Sequence, residues 1–292
     1  MAIRKFYLQG KSGQRLNLNA VNGIFFHSVQ GLGFSLSPAY ADLKTGFFRS
    51  IADDAEPQGS VAGTLTFYGS DPYRQWQEFA NWCSNNTPLT LVYIPSGTQE
   101  FLRTVDIAYM SKGEKNSVGA LDVPCSFSCL SPWFRPAPSQ LSLENLQGNA
   151  IRYTYRYTDT LVYGADSTAT LSGTIAAGGQ IPGALRLRYF GEIPNPKVRL
   201  VGNESGTTYG LCAVNTAIQP GSVFELSTVP TDPHVQQIAA DGKISDLEDY
   251  LSLSTEPYFR IPTNESCTLS VEADAVFDGS AELEIYYYFR SV

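Results

Sequence analysis

At 292 residues and 43% hydrophobic content, the chain can bury sizeable cores without metal or disulfide staples, and it is long for one domain. Its formal net charge of −8, with 28 acidic against 20 basic residues, argues against a broad nucleic-acid-binding surface. Only 16% of residues are charged, while Tyr (17), Phe (16), Gly (25) and Pro (17) are plentiful, which is a composition of sheets and turns rather than helices.

The opening MAIRKFYLQGKSGQR has no apolar stretch ahead of a small-residue cleavage site. No segment reaches the roughly 18 apolar residues of a membrane helix. Production in a cytosol, with no signal peptide and no membrane insertion, is therefore expected. KFYLQ, the turn GKSG and RLNLN read as a hairpin, and Gly23–Val29 (GIFFHSV) as a further apolar strand. The glycines of GLGFS mark a backbone that bends or approaches a neighbour closely. Residues 37–60, with Pro38, the acidic Asp53, Asp54 and Glu56, and Pro57, read as an irregular extended arm.

Val61–Gly69 is a predicted strand, followed by the one convincing helix, DPYRQWQEFANWCSNN. Asp71 suits the N-cap and Pro72 the first helical position. Tyr73, Trp76, Phe79, Ala80 and Cys83 fall on one face at helical spacing, so the helix covers a sheet. PLTLVYIP, FLRTVDIAYMSK and LDVPCSFSCLSPWF complete the first half as strands. Arg135–Ser139 (RPAPS) reads as a stiff proline linker. The expected division is 1–134, a linker 135–149, and a second domain 150–292.

The second half is denser in strand. AIRYTYRYTDTLVYG alternates Ile151, Tyr153, Tyr155 and Tyr157 against Arg152, Thr154, Arg156 and Thr158. LRLRYFG, KVRLVG, TYGLCAV and SVFELSTV follow, Asp241–Gly242 and Asp278–Gly279 read as hairpin turns, and ISDLEDYLS holds one short helical turn. AELEIYYYFRSV alternates again. Many short antiparallel strands with turn signals predict β-sandwiches. Charge divides unevenly: through Arg135 there are 11 basic and 10 acidic residues, net +1, and beyond it 9 and 18, net −9.

Candidate chemistry is sparse. Cys83, Cys125, Cys129, Cys212 and Cys267 are odd in number and scattered, as free thiols in a reducing compartment would be. Cys125 and Cys129 share one face of a strand, where positions four apart lie about 13 Å apart, beyond the ~7 Å reach of a disulfide. The only histidines, His27 and His234, fall in different halves, so neither a four-ligand zinc site nor a histidine dyad is expected. His27 in IFFHS reads as a packed, hydrogen-bonded side chain and His234 after TDP as a solvated one. Gly10–Lys11–Ser12 ends like a phosphate loop but lacks its first glycine, since position 5 is Lys5. There is no G-x-S-x-G elbow. Residues 232–284 hold 12 acids against Lys243 and Arg260, but Glu282 and Glu284 alternate with Leu283 and Ile285 and read as a solvated face. Trp76, Trp82 and Trp133 all lie in the first half, which weakens a lectin reading of the second. No catalytic, cofactor-binding or metal-binding residue is expected.

The order FYL, hairpin, LN, then H-S-x-x-GLGF and an arm resembles the start of the distal tail protein family of long-tailed bacteriophages. YRQWQEFANW, LTLVYIP, R-x-V-D-I-x-Y, K-G-E and L-S-P-W-F follow in the same order, and PYFRIP and YYYFRSV are similar at the carboxyl end. The resemblance implies a mainly β protein of two β-sandwich-type domains, the first with one covering helix and an extended arm, the second galectin-like. It implies a ring, usually of six copies, built by the N-terminal domains in the virion tail after assembly in the bacterial cytoplasm. The implied partners are other copies of the chain, the tail tube protein, the tail-tip protein and a receptor-binding protein, with a host-surface saccharide as a further one. No cofactor and no catalysis are implied. Residues 37–60 are then the expected intersubunit arm. A carbohydrate-binding module contacting the host envelope is the alternative.

Overall fold

A computed structural model describes residues 4–33, 40–43, 46–49, 58–144, 151–152, 162–163, 170–275, 277 and 279–292. It is mainly β, with one α-helix among the described residues, and divides into two compact units. The first comprises Met1–Arg135 together with Phe289–Val292, the second Pro136–Tyr288.

In the first unit β1 (Lys5–Gln9) and β2 (Arg15–Asn17) form the opening hairpin, turned by Gly10–Gly13 with Gly13 at φ +79°. The Gly10–Lys11–Ser12 stretch is thus a hairpin turn and not a phosphate loop. β3 (Asn19–Val21) and β4 (Ile24–Gln30) flank a two-residue Asn22–Gly23 turn in which both residues have positive φ. Inside the stretch expected to be irregular, β5 (Tyr40–Leu43) and β6 (Gly46–Arg49) pair as a short antiparallel hairpin. Most of the remainder of 37–60 lies outside the described residues.

Next come β7 (Ser60–Phe67), α1 (Pro72–Asn85), β8 (Leu89–Ile94), β9 (Phe101–Met110) and β10 (Leu121–Cys129). The pairing order is β1–β8–β9–β10–β7–β4, all antiparallel. Leu18, between β2 and β3, closes the sheet: its N–H donates to Phe6 O at 3.1 Å and its carbonyl accepts from Phe26 N at 2.9 Å. The interior is aromatic, with Phe6 edge-on to Phe26 and Phe26 edge-on to Phe127. Gly31 is needed where β4 passes β7, because a Cβ there would sit 2.0 Å from Ser60 O and its φ is +84°.

The helix forms as its sequence predicts. Asp71 accepts the Arg74 N–H at 3.2 Å, Pro72 opens the first turn, and Asn86 caps the end, its backbone N–H donating to Cys83 O and its side-chain amide to Trp82 O. Phe79 and Cys83 are buried, and Trp76 and Phe79 pack on Phe67 with ring centroids 5.7 and 5.5 Å away.

β11 (Trp133–Glu144) leaves the first unit and runs through the Arg135–Ser139 stretch as strand. The second unit contains β12 (Ile151–Arg152) and β13 (Val162–Tyr163), which pair with each other; the rest of the alternating stretch 151–164 lies outside the described residues. β14 (Thr170–Ile175), β15 (Ile181–Phe190), β16 (Lys197–Gly202), β17 (Thr208–Ala213) and β18 (Val223–Ser227) follow. β19 (His234–Ile238), β20 (Ile244–Asp246), β21 (Cys267–Glu272) and β22 (Ser280–Phe289) complete it. One antiparallel sheet runs β14–β21–β16–β17, the other β22–β15–β18–β19–β20. Each has one apolar buried face: Leu171, Leu200 and Leu269 on the first, Leu187, Leu226 and Leu283 on the second. Gly242, at φ +83°, turns β19 into β20, and Glu248–Tyr250 is a single 3-10 turn. Asp278 lies outside the described residues.

Candidate functional site

The five cysteines are all buried and free. Cys125 and Cys129 both face the first core from β10. Burial pushes the thiols of Cys83, Cys125 and Cys212 up to about 12 and that of Cys267 up to about 11, and it raises Cys129 as well. At neutral pH burial keeps these groups as thiols rather than thiolates. Among the described residues no three His, Cys, Asp or Glu side chains come together as a metal cluster.

The residues that converge lie on the outer face of the first sheet. β4, β7 and β10 run side by side, with Phe25 opposite Thr66 and Thr66 opposite Asp122. His27 Nε2 is 2.9 Å from Thr66 Oγ1, Thr66 donates to Asp122 Oδ1 at 2.6 Å, and Asn116 donates to Asp122 Oδ2 at 2.9 Å. Thr66 has one hydroxyl proton, which the carboxylate takes, so Nε2–H of His27 donates to Thr66, while Nδ1 lies 3.0 Å from Ser28 Oγ. The hydrogen bonds from Thr66 and Asn116 hold the Asp122 carboxyl below its ordinary range. The phenyl ring of Phe25 stacks on His27 at 5.4 Å.

Apolar side chains stand around this network. Phe25 is 41% exposed and Val118 84%, and Val21 and Tyr68 are exposed beside them. Their backbones are pinned. Tyr68 N donates to Gly23 O at 2.9 Å, and the Tyr68 hydroxyl donates to Ala20 O. Asn116 Oδ1 accepts from Val118 N and Ala120 N, so the turn that carries Val118 is fixed by the side chain that also reaches Asp122. On the helix side Lys112 and Lys115 lie over the Tyr73 ring, whose hydroxyl donates to Glu114.

A cavity of about 320 Å³ lies at the opposite end of β10, lined by Gln58, Gly59, Arg103, Cys129, Leu130, Ser131 and Pro132. Arg103 Nε donates to Ser131 O at 2.8 Å, and its guanidinium covers the Trp133 ring. These contacts hold Ser131–Pro132 at the end of β10, after which Trp133 enters the core and Phe134 pairs with Leu102 of β9.

In the second unit His234 corrects its sequence reading. It is half-buried rather than solvated, with Nε2 3.2 Å from Glu225 Oε1 and Nδ1 3.3 Å from Asp232 Oδ1. Glu282 and Glu284 do alternate with buried Leu283 and Ile285. Sequence reasoning missed Glu265, whose carboxylate is gripped by the Tyr209 hydroxyl, the Ser205 and Glu204 N–H groups and Ser205 Oγ. It equally missed the alignment of His27, Thr66 and Asp122, for which strand register is the only signal.

Residues 5–130 match the family model "Distal tail protein, N-terminal domain". Over its full length the chain is similar in structure to a protein of the phage P2 baseplate in its activated conformation with calcium. That likeness has a TM-score of 0.65 and 12% identity, covering 99% of this chain and 100% of the other. The same baseplate with strontium gives 0.64, 12%, 99% and 100%. The Dit protein of SPP1, described as a paradigm of the hub adsorption apparatus in phages infecting Gram-positive hosts, gives 0.59, 10%, 97% and 98%. No curated protein sequence matches the chain.

Proposed function

We propose that the chain is a distal tail protein, on the family match of residues 5–130 and a fold shared along its length with phage baseplate hub proteins, and that it closes into a ring of six copies at the end of a phage tail. It is a structural protein of the virion tail. In this reading the first domain, 1–134, forms the ring, and 135–149 links it to a galectin-like sandwich, 150–292, that projects outward. The ring joins the tail tube protein to the tip protein and carries receptor-binding proteins. Assembly takes place in the host cytoplasm, without a cofactor, a nucleic-acid site or catalysis by any side chain.

The observation that carries this is the family match across residues 5–130, which spans every strand of the closed first sheet. Two features support it. The half of the chain through Arg135 has net charge +1, so identical neighbours meet with little repulsion. The Phe25–Val118 surface offers apolar contacts around a hydrogen-bonded polar centre. Residues 37–60 serve as the intersubunit arm.

Native mass spectrometry of the full chain tests the reading. A closed ring of six is expected, and deletion of residues 40–56 abolishes it while the second unit stays folded. A monomer that persists when purified tube protein is added, or a ring that survives the deletion, refutes the corresponding claim. The alternative function, a carbohydrate-binding module contacting the host envelope, is favoured by one feature of the second unit and is compatible with a place in the same particle.

A further inference from the structure

We infer that the outer face of the sheet β22–β15–β18–β19–β20 is a binding site for a neutral polysaccharide. This rests on the proposal above only in requiring the second unit to project from the particle.

The face is laid out in rows across the strands. Strand register aligns Ser280, Phe190, Val223, Ile238 and Ile244 in one row. All of them lie on the side opposite the buried Tyr189, Phe224 and Val235. A sheet with one packed face ordinarily carries polar side chains on the other. Here the solvent side carries four consecutive apolar ones, with Phe190 37% and Ile244 61% exposed. Cross-strand neighbours sit about 5 Å apart, so the four apolar side chains form a continuous ledge about 14 Å long.

The next row, about 7 Å along the strands, is Glu282, Arg188, Glu225, Gln236 and Asp246. Its centre is fixed. Glu225 is only 3% exposed, and its carboxylate lies 3.3 Å from Arg188 Nε, 3.5 Å from Arg186 Nε and 3.2 Å from His234 Nε2. The arginines are therefore held in place before any ligand arrives, and around the buried Glu225 the row presents Glu282 as acceptor, Arg188 as donor, Gln236 as amide and Asp246 as acceptor.

An occupant must be long and flat, with apolar C–H groups for the ledge and hydroxyls that both donate and accept for the polar row. A pyranose chain has those two sides, and each sugar unit spans about one interstrand spacing. Charged occupants fit worse. A polyanion meets Glu282 and Asp246, and a polycation meets Arg186 and Arg188. A protein helix laid on the ledge would bury the mixed charges of the polar row without partners.

The test places the full-length protein on immobilised neutral hexose, N-acetylhexosamine and deoxyhexose homopolymers, with polyglycerol phosphate as charged control. Saturable binding to a neutral polymer is expected, with weak dependence on salt. Phe190→Ala and Ile244→Ser, both exposed and tolerable to the fold, should each weaken it about tenfold, the scale of one lost well-formed contact. Glu225→Gln should do the same where it folds, and Leu253→Ala, exposed and outside both rows, should leave binding unchanged. No binding to any neutral polymer, equal binding by every variant, retention only on polyglycerol phosphate, or Phe190-dependent binding of a purified tail protein in place of sugar would each overturn the inference. Ring mass measured on the same samples separates the two readings. An intact ring without sugar binding removes this inference alone, and a sugar-binding monomer removes the ring alone.

Discussion

The side-chain amide of Asn19 stands in for a strand against Phe6: Oδ1 accepts the Phe6 N–H at 2.7 Å and Nδ2 donates to the Phe6 carbonyl at 2.8 Å. With the adjacent Leu18 bonds it closes the first sheet between β1 and β4. Asn19→Ala leaves the Phe6 N–H unpaired at a partly buried position, while the Phe6 carbonyl keeps the Leu18 N–H at 3.1 Å. The expected cost is about 1–3 kcal/mol, the penalty of one unsatisfied group. Chemical denaturation measures it, and a loss below ~0.5 kcal/mol would mean that the closure carries no weight.

How far such features are legible from sequence depends on their range along the chain. The helix was legible because Asp71, Pro72 and the Phe79/Cys83 face lie within a few turns of one another. So was the alternation of β22, and the burial of Cys125 and Cys129 on one strand face. The Asn19–Phe6 closure was not, because it depends on how residues 13 apart are brought together. Nor was the surface around Asp122, whose partners His27 and Thr66 come from two other strands. Single-strand patterns say which face a residue takes, while register says what it meets there.

Glu265 sets a pH dependence. The Tyr209 hydroxyl, then the Ser205 N–H and hydroxyl, hold its carboxyl down at about 2, from an ordinary 4.5. A depressed carboxyl contributes stability that is fully present above its unfolded value and is lost as pH falls through its folded value. The wild-type advantage over Glu265→Gln should therefore be constant above about pH 5 and shrink between there and pH 2. Melting temperatures of both proteins across that range check it. Asp122 and Asp274 are also depressed, so the difference between the two proteins is the informative quantity. A gap that widens toward acid pH would contradict the clasp.

The thiols should be silent in the native protein. With Cys83, Cys125 and Cys212 raised to about 12 by burial, almost none is thiolate at pH 8. A disulfide-exchange reagent should find no fast-reacting thiol before denaturation and five after it. One thiol reacting within seconds in the folded state would reopen a nucleophilic or redox role.

The Phe25–Val118 surface separates assembly from folding. Both side chains are exposed, so replacing either removes little packing from the subunit, and surface substitutions away from such packing usually change stability by within about 0.5 kcal/mol. At an interface the same residues behave differently, since a carboxylate pressed against a neighbour's apolar surface is desolvated without a partner. Phe25→Asp should also repel Asp122, which already carries its charge readily. The expected outcome is a subunit that melts within about 2 °C of wild type but no longer forms the ring, with Val118→Asp behaving alike and Leu253→Asp, on the second unit, having no effect. If Phe25→Asp assembles normally, ring contacts lie elsewhere on the first unit, and the pinned turns around Asn22 and Asn116 serve only the fold. If it melts far below wild type, the exposed Phe25 ring and its stacking on His27 stabilise the sheet itself, and assembly must then be read from Val118 alone.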